Sequence, residues 1–238
     1  MVKAVLFDLD GTLLQLDTQE FMQTYFKVVA GVAAPLVDPQ RFTNALIKST
    51  HQMMHDRDPQ KTNYDVFWAD FRNRLSDCIE DLTPLIEDFY EKQFRSLSWL
   101  AKSNESARKA VTAALDRGAR IVLATNPVFP RSAIIDRMDW AGIGDLTWDL
   151  ITSYEDMHFC KPYQEYYNEI ATRLNLHPQE CLMVGNDIDK DIIAGLLGFK
   201  TYLVTDYVID SGTSALKPDW NGKLDELAGW IEGTDIFK

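Results

Sequence analysis

Cysteine is scarce and poorly spaced for crosslinks or zinc: Cys78, Cys160 and Cys181 are three in number, with no C-x-x-C pair among them. Neither a disulfide framework nor a zinc knuckle is expected to organise such a chain. Basic residues are also in short supply. With 24 Lys and Arg against 36 Asp and Glu, the formal net charge is −12, and no nucleic-acid partner is expected, since phosphate backbones are gripped by clustered cations. A small anionic substrate stays open, because a few local cations or a bound metal override the global field. No run reaches the roughly 18 apolar residues of a membrane span, so no membrane partner is expected either. The opening MVKAVLFDLDGT turns acidic at Asp8 before a long apolar stretch develops. That is unlike a secretory leader, and the cytoplasm is the expected compartment.

What the chain does have is an ordinary globular balance, 46% hydrophobic and 25% charged over 238 residues. That length suits one domain carrying a large insertion, or two modest domains. Val2–Phe7 is a short apolar run broken by Lys3, and it stops at Asp-Leu-Asp-Gly-Thr. It reads as a buried parallel strand ending in a turn. Ala119–Ala124, Cys181–Val184 and Thr201–Val204 have the same character, with Trp148–Thr152 a weaker fifth. Helical patterns lie between them, over Asn104–Arg117, Ser132–Trp140, Tyr163–Leu174 and Asp191–Leu197, and Leu224–Ile231 closes the chain. Strands alternating with helices imply right-handed crossovers and a parallel sheet covered on both faces.

Residues 17–99 break this alternation. They hold no convincing strand but four apolar stripes at helical spacing: Met22/Tyr25/Phe26/Val29, Phe42/Ala45/Leu46 running on to Met53, Phe67/Trp68/Phe71/Leu75 and Leu85/Ile86/Phe89/Phe94. Pro35, Pro39 and Pro59 punctuate the connections.

Chemistry is concentrated where strands stop. In Asp8-Leu9-Asp10-Gly11-Thr12 the two acids are two apart at an extended strand end, so they face the same way. Crowded carboxylates repel unless a positive charge sits between them. Oxygen-only ligands of this kind suit magnesium, and Gly11 permits the sharp turn. Thr125-Asn126 follows the second core run, and Lys161-Pro162 stands at a helix start, where proline favours the first turn. Met183-Val184-Gly185-Asn186-Asp187-Ile188-Asp189-Lys190-Asp191 follows the third.

Taken together, and in this order, these residues resemble the four motifs of the haloacid dehalogenase superfamily. The resemblance covers the core, while the region after the first strand matches only as a helical cap. It implies an α/β fold: a Rossmann-like parallel-sheet core of residues 1–16 and 100–238, with a mostly α-helical cap of residues 17–99 inserted after the first strand. It implies Asp8 as a nucleophile forming an aspartyl-phosphate, and Asp10 as general acid and then base. Thr125 and Lys161 would complete the catalytic set, with Gly11, Thr12 and Asn126 gripping the phosphoryl group. Mg2+ would be held by Asp8, the Asp10 carbonyl and Asp187, with Asp191 as supporting acid.

Two registers of the fourth motif fit. The shorter one, taken here, makes Asp187 the first acid; the longer puts Asn186 there. The expected function is therefore magnesium-dependent hydrolysis of a small phosphorylated metabolite. A sugar phosphomutase is the nearest rival, and a non-catalytic binding protein on the same scaffold a more distant one. Asp10 speaks against dehalogenation, since a halide needs no proton to leave. Arg41, Arg57, Arg72, Arg74 and Arg95 are candidates to reach the substrate from the cap, and neither the substrate nor the oligomeric state is legible. His51 and His55 lie four apart on a predicted helix, a spacing used by metal sites, but no third ligand stands beside them. Cys160, next to Lys161, reads as a buried structural thiol.

Overall fold

The computed structural model describes residues 1–212 and 214–238. The chain opens with strand β1 (Ala4–Phe7) and a short β2 (Gln15–Leu16). Four helices follow: α1 (Thr18–Ala33), α2 (Pro39–His55), α3 (Asn63–Arg74) and α4 (Ile79–Asp88). A π turn (Phe89–Gln93) and a 3-10 segment (Phe94–Leu100) then lead into β3 (Ala101–Lys102). The remainder alternates: α5 (Glu105–Asp116), β4 (Arg120–Leu123), α6 (Arg131–Trp140), β5 (Leu150–Ile151), α7 (Gln164–Leu174), β6 (Cys181–Gly185), β7 (Lys200–Val204), β8 (Trp220–Gly222) and α8 (Leu224–Gly233).

Six of the strands form one parallel sheet in the order β5-β4-β1-β6-β7-β8. The chain first builds outward from β1 through β4 to β5, then returns to the other side of β1 with β6. This reversal puts a crevice at the carboxyl ends of β1 and β6, where open α/β sheets bind ligands. The side chains of β1 show why the sheet is buried on both faces. Val5 and Phe7 point into a core shared with α5, α8 and the helical insert, while Ala4 and Leu6 point into a second core built on α7. Strict alternation of two apolar sets requires helices on both faces.

The helices between β2 and β3 form an insert tied to the sheet layer by the antiparallel β2–β3 ribbon, with Gln15 opposite Lys102 and Leu16 opposite Ala101. Caps explain their boundaries. Asp17 accepts from the Glu20 N–H, Asp38 from the Arg41 N–H, and Thr62 and Asp65 make a reciprocal capping box. Aromatic packing knits the insert together: Phe67 stacks on Phe71 at 5.2 Å, and Phe42 meets Phe71 edge-on at 5.9 Å.

Several expectations differ in detail. The β2–β3 ribbon and β8 are too short to show periodicity. The segment expected as a helix over Asp191–Leu197 is a 3-10 helix, Ile192–Leu197, with Gly195 inside it and Gly198 ending it at φ +93°. In the fourth stripe Leu85 sits at the rim, and the buried face of α4 is Ile79, Leu82 and Ile86.

Candidate active site

The carboxyl ends of β1, β4 and β6 deliver Asp8, Thr125 and Asn186 to one crevice. Asp8 is held in the sheet by its N–H bond to the Val184 carbonyl at 2.9 Å. Its carboxylate is fixed on both sides: Lys161 Nζ donates to Oδ1 at 2.8 Å and the Thr12 hydroxyl to Oδ2 at 3.2 Å. The turn that brings Thr12 back requires Gly11 at φ +83°, and a side chain there would strike the amide of Asn186.

Lys161 is buried between two acids, with Asp191 Oδ1 at 2.5 Å opposite Asp8. Burial works against its ammonium, but the charges of Asp191 and Asp8 outweigh it and hold the lysine well above its usual range. Asp191 is itself a hub. Its Oδ2 accepts from the N–H groups of Asn186 at 3.1 Å and Asp187 at 3.0 Å, which ties the loop after β6 into a tight coil. Gly185 allows this, since a Cβ there would collide with the Asp191 carboxyl group.

The two registers of the fourth motif have distinct positions. Asn186 turns toward β1: its Oδ1 accepts from the Thr12 hydroxyl at 3.0 Å, while its amide N–H donates to the Tyr207 carbonyl at 2.6 Å. Asp187 turns the other way, accepting from the N–H groups of Asp189 and Lys190, each at 3.0 Å, and from Lys190 Nζ at 2.9 Å. Among the described residues no three His, Cys, Asp or Glu side chains are grouped to hold a metal ion. The oxygens that converge are Asp8 Oδ2 and Asn186 Oδ1, which share one hydroxyl, with Asp187 on the same crevice wall.

The remaining sequence candidates fall around this centre. Thr125 and Asn126 line the crevice with Asp8, Asp10, Lys161, Asp187 and Asp191. The Thr125 carbonyl is fixed by Thr152 Oγ1 at 2.7 Å and Tyr166 OH at 2.9 Å, and Asn126 Oδ1 accepts the Lys161 N–H at 3.0 Å. Gly11 and Thr12 are not among the crevice walls, and the Thr12 hydroxyl is directed at Asp8 and Asn186 instead. His51 and His55 stack on each other at 4.0 Å.

A buried arginine that no strand end marks also lines the crevice. Arg137 on α6 is 1% exposed, and its Nη1 donates to Asp10 Oδ2. Its Nε donates to the Ala133 carbonyl at 3.1 Å, and its guanidinium lies over the ring of Phe129 at 4.5 Å. Asp10 is thereby held on a rigid cation. Burial raises its carboxyl above the ordinary range, Arg137 pulls the other way, and Asp8 adds to the rise. Of the five arginines considered from the insert, none lines this crevice. Arg41, Arg57 and Arg74 pair with Asp77, Glu165 and Asp70. The signal for Arg137 was available: it follows Ala133 by four and Ile134 by three, which puts an arginine on the apolar face of its helix.

A parallel sheet with an aspartate at the end of its first strand, a buried lysine beside it and a helical insert between them defines a class of hydrolase. The chain belongs to the haloacid dehalogenase-like hydrolases, whose family pattern matches residues 2–197. It is 24% identical over 230 residues to YhcW of Bacillus subtilis (strain 168), named as a candidate phosphatase, covering 96% of this chain and 93% of that one. In fold it is similar to a HAD phosphatase from Thermococcus onnurineus, with a TM-score of 0.59 and 19% identity over 98% of this chain and 99% of that one. It is likewise similar to the L-2-haloacid dehalogenase of Xanthobacter autotrophicus, with a TM-score of 0.57 and 16% identity over 98% and 100% of the two chains. Among the described residues no helix is long and apolar enough to cross a membrane.

Proposed function

We propose that this chain is a phosphohydrolase acting on a small phosphorylated substrate, with the helical insert serving as a cap. The observation that carries the reading is Asp10, an acid two residues beyond the nucleophile, lining the same crevice and anchored by a buried arginine. Expelling a halide needs no such proton donor, whereas expelling an alkoxide does.

In the reaction, a carboxylate oxygen of Asp8 attacks phosphorus in line, and the bond from phosphorus to the ester oxygen breaks. The leaving oxygen takes the proton of Asp10, whose proton affinity burial raises above that of an ordinary carboxyl group. Asp10, now ionised, accepts a proton from water as that water attacks the aspartyl-phosphate, which releases phosphate and restores Asp8. Lys161 offsets the charge of the nucleophile and of the phosphoryl oxygens throughout.

An oxygen-only donor set of Asp8 and Asn186 with the Asp10 carbonyl and Asp187 suits magnesium. When bound, the ion would orient the phosphoryl group and neutralise its charge. Asp191, engaged by Lys161 and two backbone N–H groups, supports the loop from behind.

The test is phosphate release from 4-nitrophenyl phosphate, with and without magnesium, beside Asp8→Asn. Turnover that needs magnesium and falls on the order of a thousandfold or more in the variant supports the reading. Chloride release from 2-chloropropionate without any phosphate release would overturn it.

A further inference from the structure

Besides its charged groups, the crevice is lined by Phe21, Met22, Val128, Phe129 and Ile209, with the Arg137 guanidinium over the Phe129 ring at 4.5 Å. Met22, Val128 and Phe129 are also the wall of a second, narrow cavity that runs under the insert between α1, α2 and α3. Its lining is dominated by rings, among them Tyr25, Phe67, Trp68 and Phe71.

The polar atoms on these rings are engaged with one another. The Tyr25 and Tyr90 hydroxyls lie 2.6 Å apart, and Trp68 Nε1 donates to the Tyr154 hydroxyl at 3.3 Å. Thr50 carries the other side-chain hydroxyl on the lining. Protein interiors are close-packed, so a ring-lined slot that shares wall residues with the crevice of Asp8 is a feature to account for. A polyhydroxylated leaving group entering it would lose its water and find few partners. A flat apolar group would lose nothing and bury its surface.

We infer that this slot is the leaving-group subsite, and that the substrate is a phosphate monoester of an apolar alcohol with a single flat ring or a short hydrocarbon chain. The phosphoryl group sits against Asp8 and Lys161, the ester oxygen faces Asp10, and the carbon skeleton passes over Phe129 into the slot. The inference rests on the phosphohydrolase reading for its chemistry, but the slot itself is tested by binding alone.

Two measurements separate the claims. In the first, kcat/KM is compared for benzyl phosphate, methyl phosphate and a hexose phosphate. The expected result is a preference for benzyl phosphate of about tenfold or more over either, the discrimination an apolar pocket supplies. Thr50→Phe, and separately Val29→Phe, should lower the benzyl-to-methyl ratio by filling the slot. In the second, calorimetry measures benzylphosphonate and methylphosphonate, which cannot be hydrolysed, on the intact protein. Benzylphosphonate should bind about tenfold tighter.

A hexose phosphate turned over as well as benzyl phosphate would overturn the subsite and leave the phosphohydrolase reading standing. If no ester is hydrolysed, that reading fails, and the phosphonates decide the slot: tighter benzylphosphonate binding upholds it, and equal binding reduces it to a packing defect.

Discussion

Arg137 holds Asp10 across 127 residues of sequence, through a contact from Nη1 to Oδ2. The pair is not saturated: Asp10 Oδ1 and Arg137 Nη2 are both buried without a hydrogen-bond partner. Each such atom costs about 1–3 kcal/mol. A pair selected only for stability would close into a two-point contact. This one instead presents a carboxylate in one orientation, on a guanidinium locked by Ala133 and Phe129.

Arg137→Met should therefore damage chemistry more than binding. The guanidinium opposes the rise that burial imposes on the Asp10 carboxyl group, so its loss moves that proton affinity further up. In the proposed reaction ionised Asp10 is the form that activates water, so the acid limb of the pH–kcat profile should shift to higher pH. The expected fall in kcat is about a hundredfold, the lower end of what general acid–base catalysis supplies, with a smaller change in KM. Arg137→Lys should restore part of the rate and move the limb back. An unmoved limb would reduce Arg137 to a packing residue.

Lys161 and Asp191 form the counterpart on the other side of Asp8, and here the expected effect is structural as well. Removing Asp191 leaves Lys161 with Asp8 as its one acidic partner, and breaking a buried ion pair costs up to about 3–5 kcal/mol. Asp191→Ala also frees the N–H groups of Asn186 and Asp187. Its melting temperature should fall by on the order of 10 °C, measured by calorimetry. Asp187→Ala, which loses the Asp189 and Lys190 N–H groups and a part-exposed lysine but no buried ion pair, should fall far less.

The parts of this site that were legible in the sequence are those set by strand ends. Asp8, Thr125 and the Gly185-Asn186 turn each follow an apolar run, and a run that stops at a polar residue marks both the strand and its functional end. What was not legible depends on side-chain direction. Asn186 and Asp187 are adjacent, and only the coil closed by Asp191 decides that the amide faces Thr12 while the acid faces Lys190. Arg137 is hard to read because a charged residue in a helix is ordinarily solvated, although its spacing from Ala133 and Ile134 marks the buried face. The β2–β3 ribbon is not legible because two-residue strands carry no period.

The cysteines give a simple chemical check on burial. Cys160 and Cys181 are both buried, and burial pushes each thiol up to about 12. Neither should be a thiolate at neutral pH, despite Lys161 beside Cys160, and a thiolate is the reactive form. Titration of the native protein with an aromatic disulfide should modify Cys78 alone, and slowly, since burial raises that thiol too. All three should react once the protein is unfolded. Rapid native labelling of Cys160 would mean that α3 and the loop above it open readily.

That loop leads to the last expectation, which concerns how the insert is held down. The β2–β3 ribbon is one attachment; the start of α3 is another. Asn63 is fully buried, its N–H donates to the Met157 carbonyl at 2.8 Å, and the Tyr64 N–H donates to the Tyr154 carbonyl at 2.7 Å. The Asn63 amide reaches the Pro127 carbonyl at 3.3 Å and Cys160 Sγ at 3.4 Å. Arg57 adds an ion pair to Glu165 and lies over the Tyr163 ring at 4.4 Å. An insert held at the start of α3, and packed on Phe129 and Trp140 through Phe21, Tyr25 and Phe94, cannot swing on the ribbon alone, so opening the crevice requires releasing the α3 contacts. Asn63→Ala removes the amide bonds but leaves the backbone bonds, at a cost of about 1–3 kcal/mol. Hydrogen exchange should then quicken across α3 and residues 154–160 while the strands of the sheet stay protected, because local opening is separable from global unfolding. If product release limits turnover, as it does for many lidded enzymes, kcat should rise or hold while KM increases. Exchange that quickens equally in β1 and β6 would show instead that Asn63 secures the whole fold, and its role as a tether of the insert would have to be abandoned.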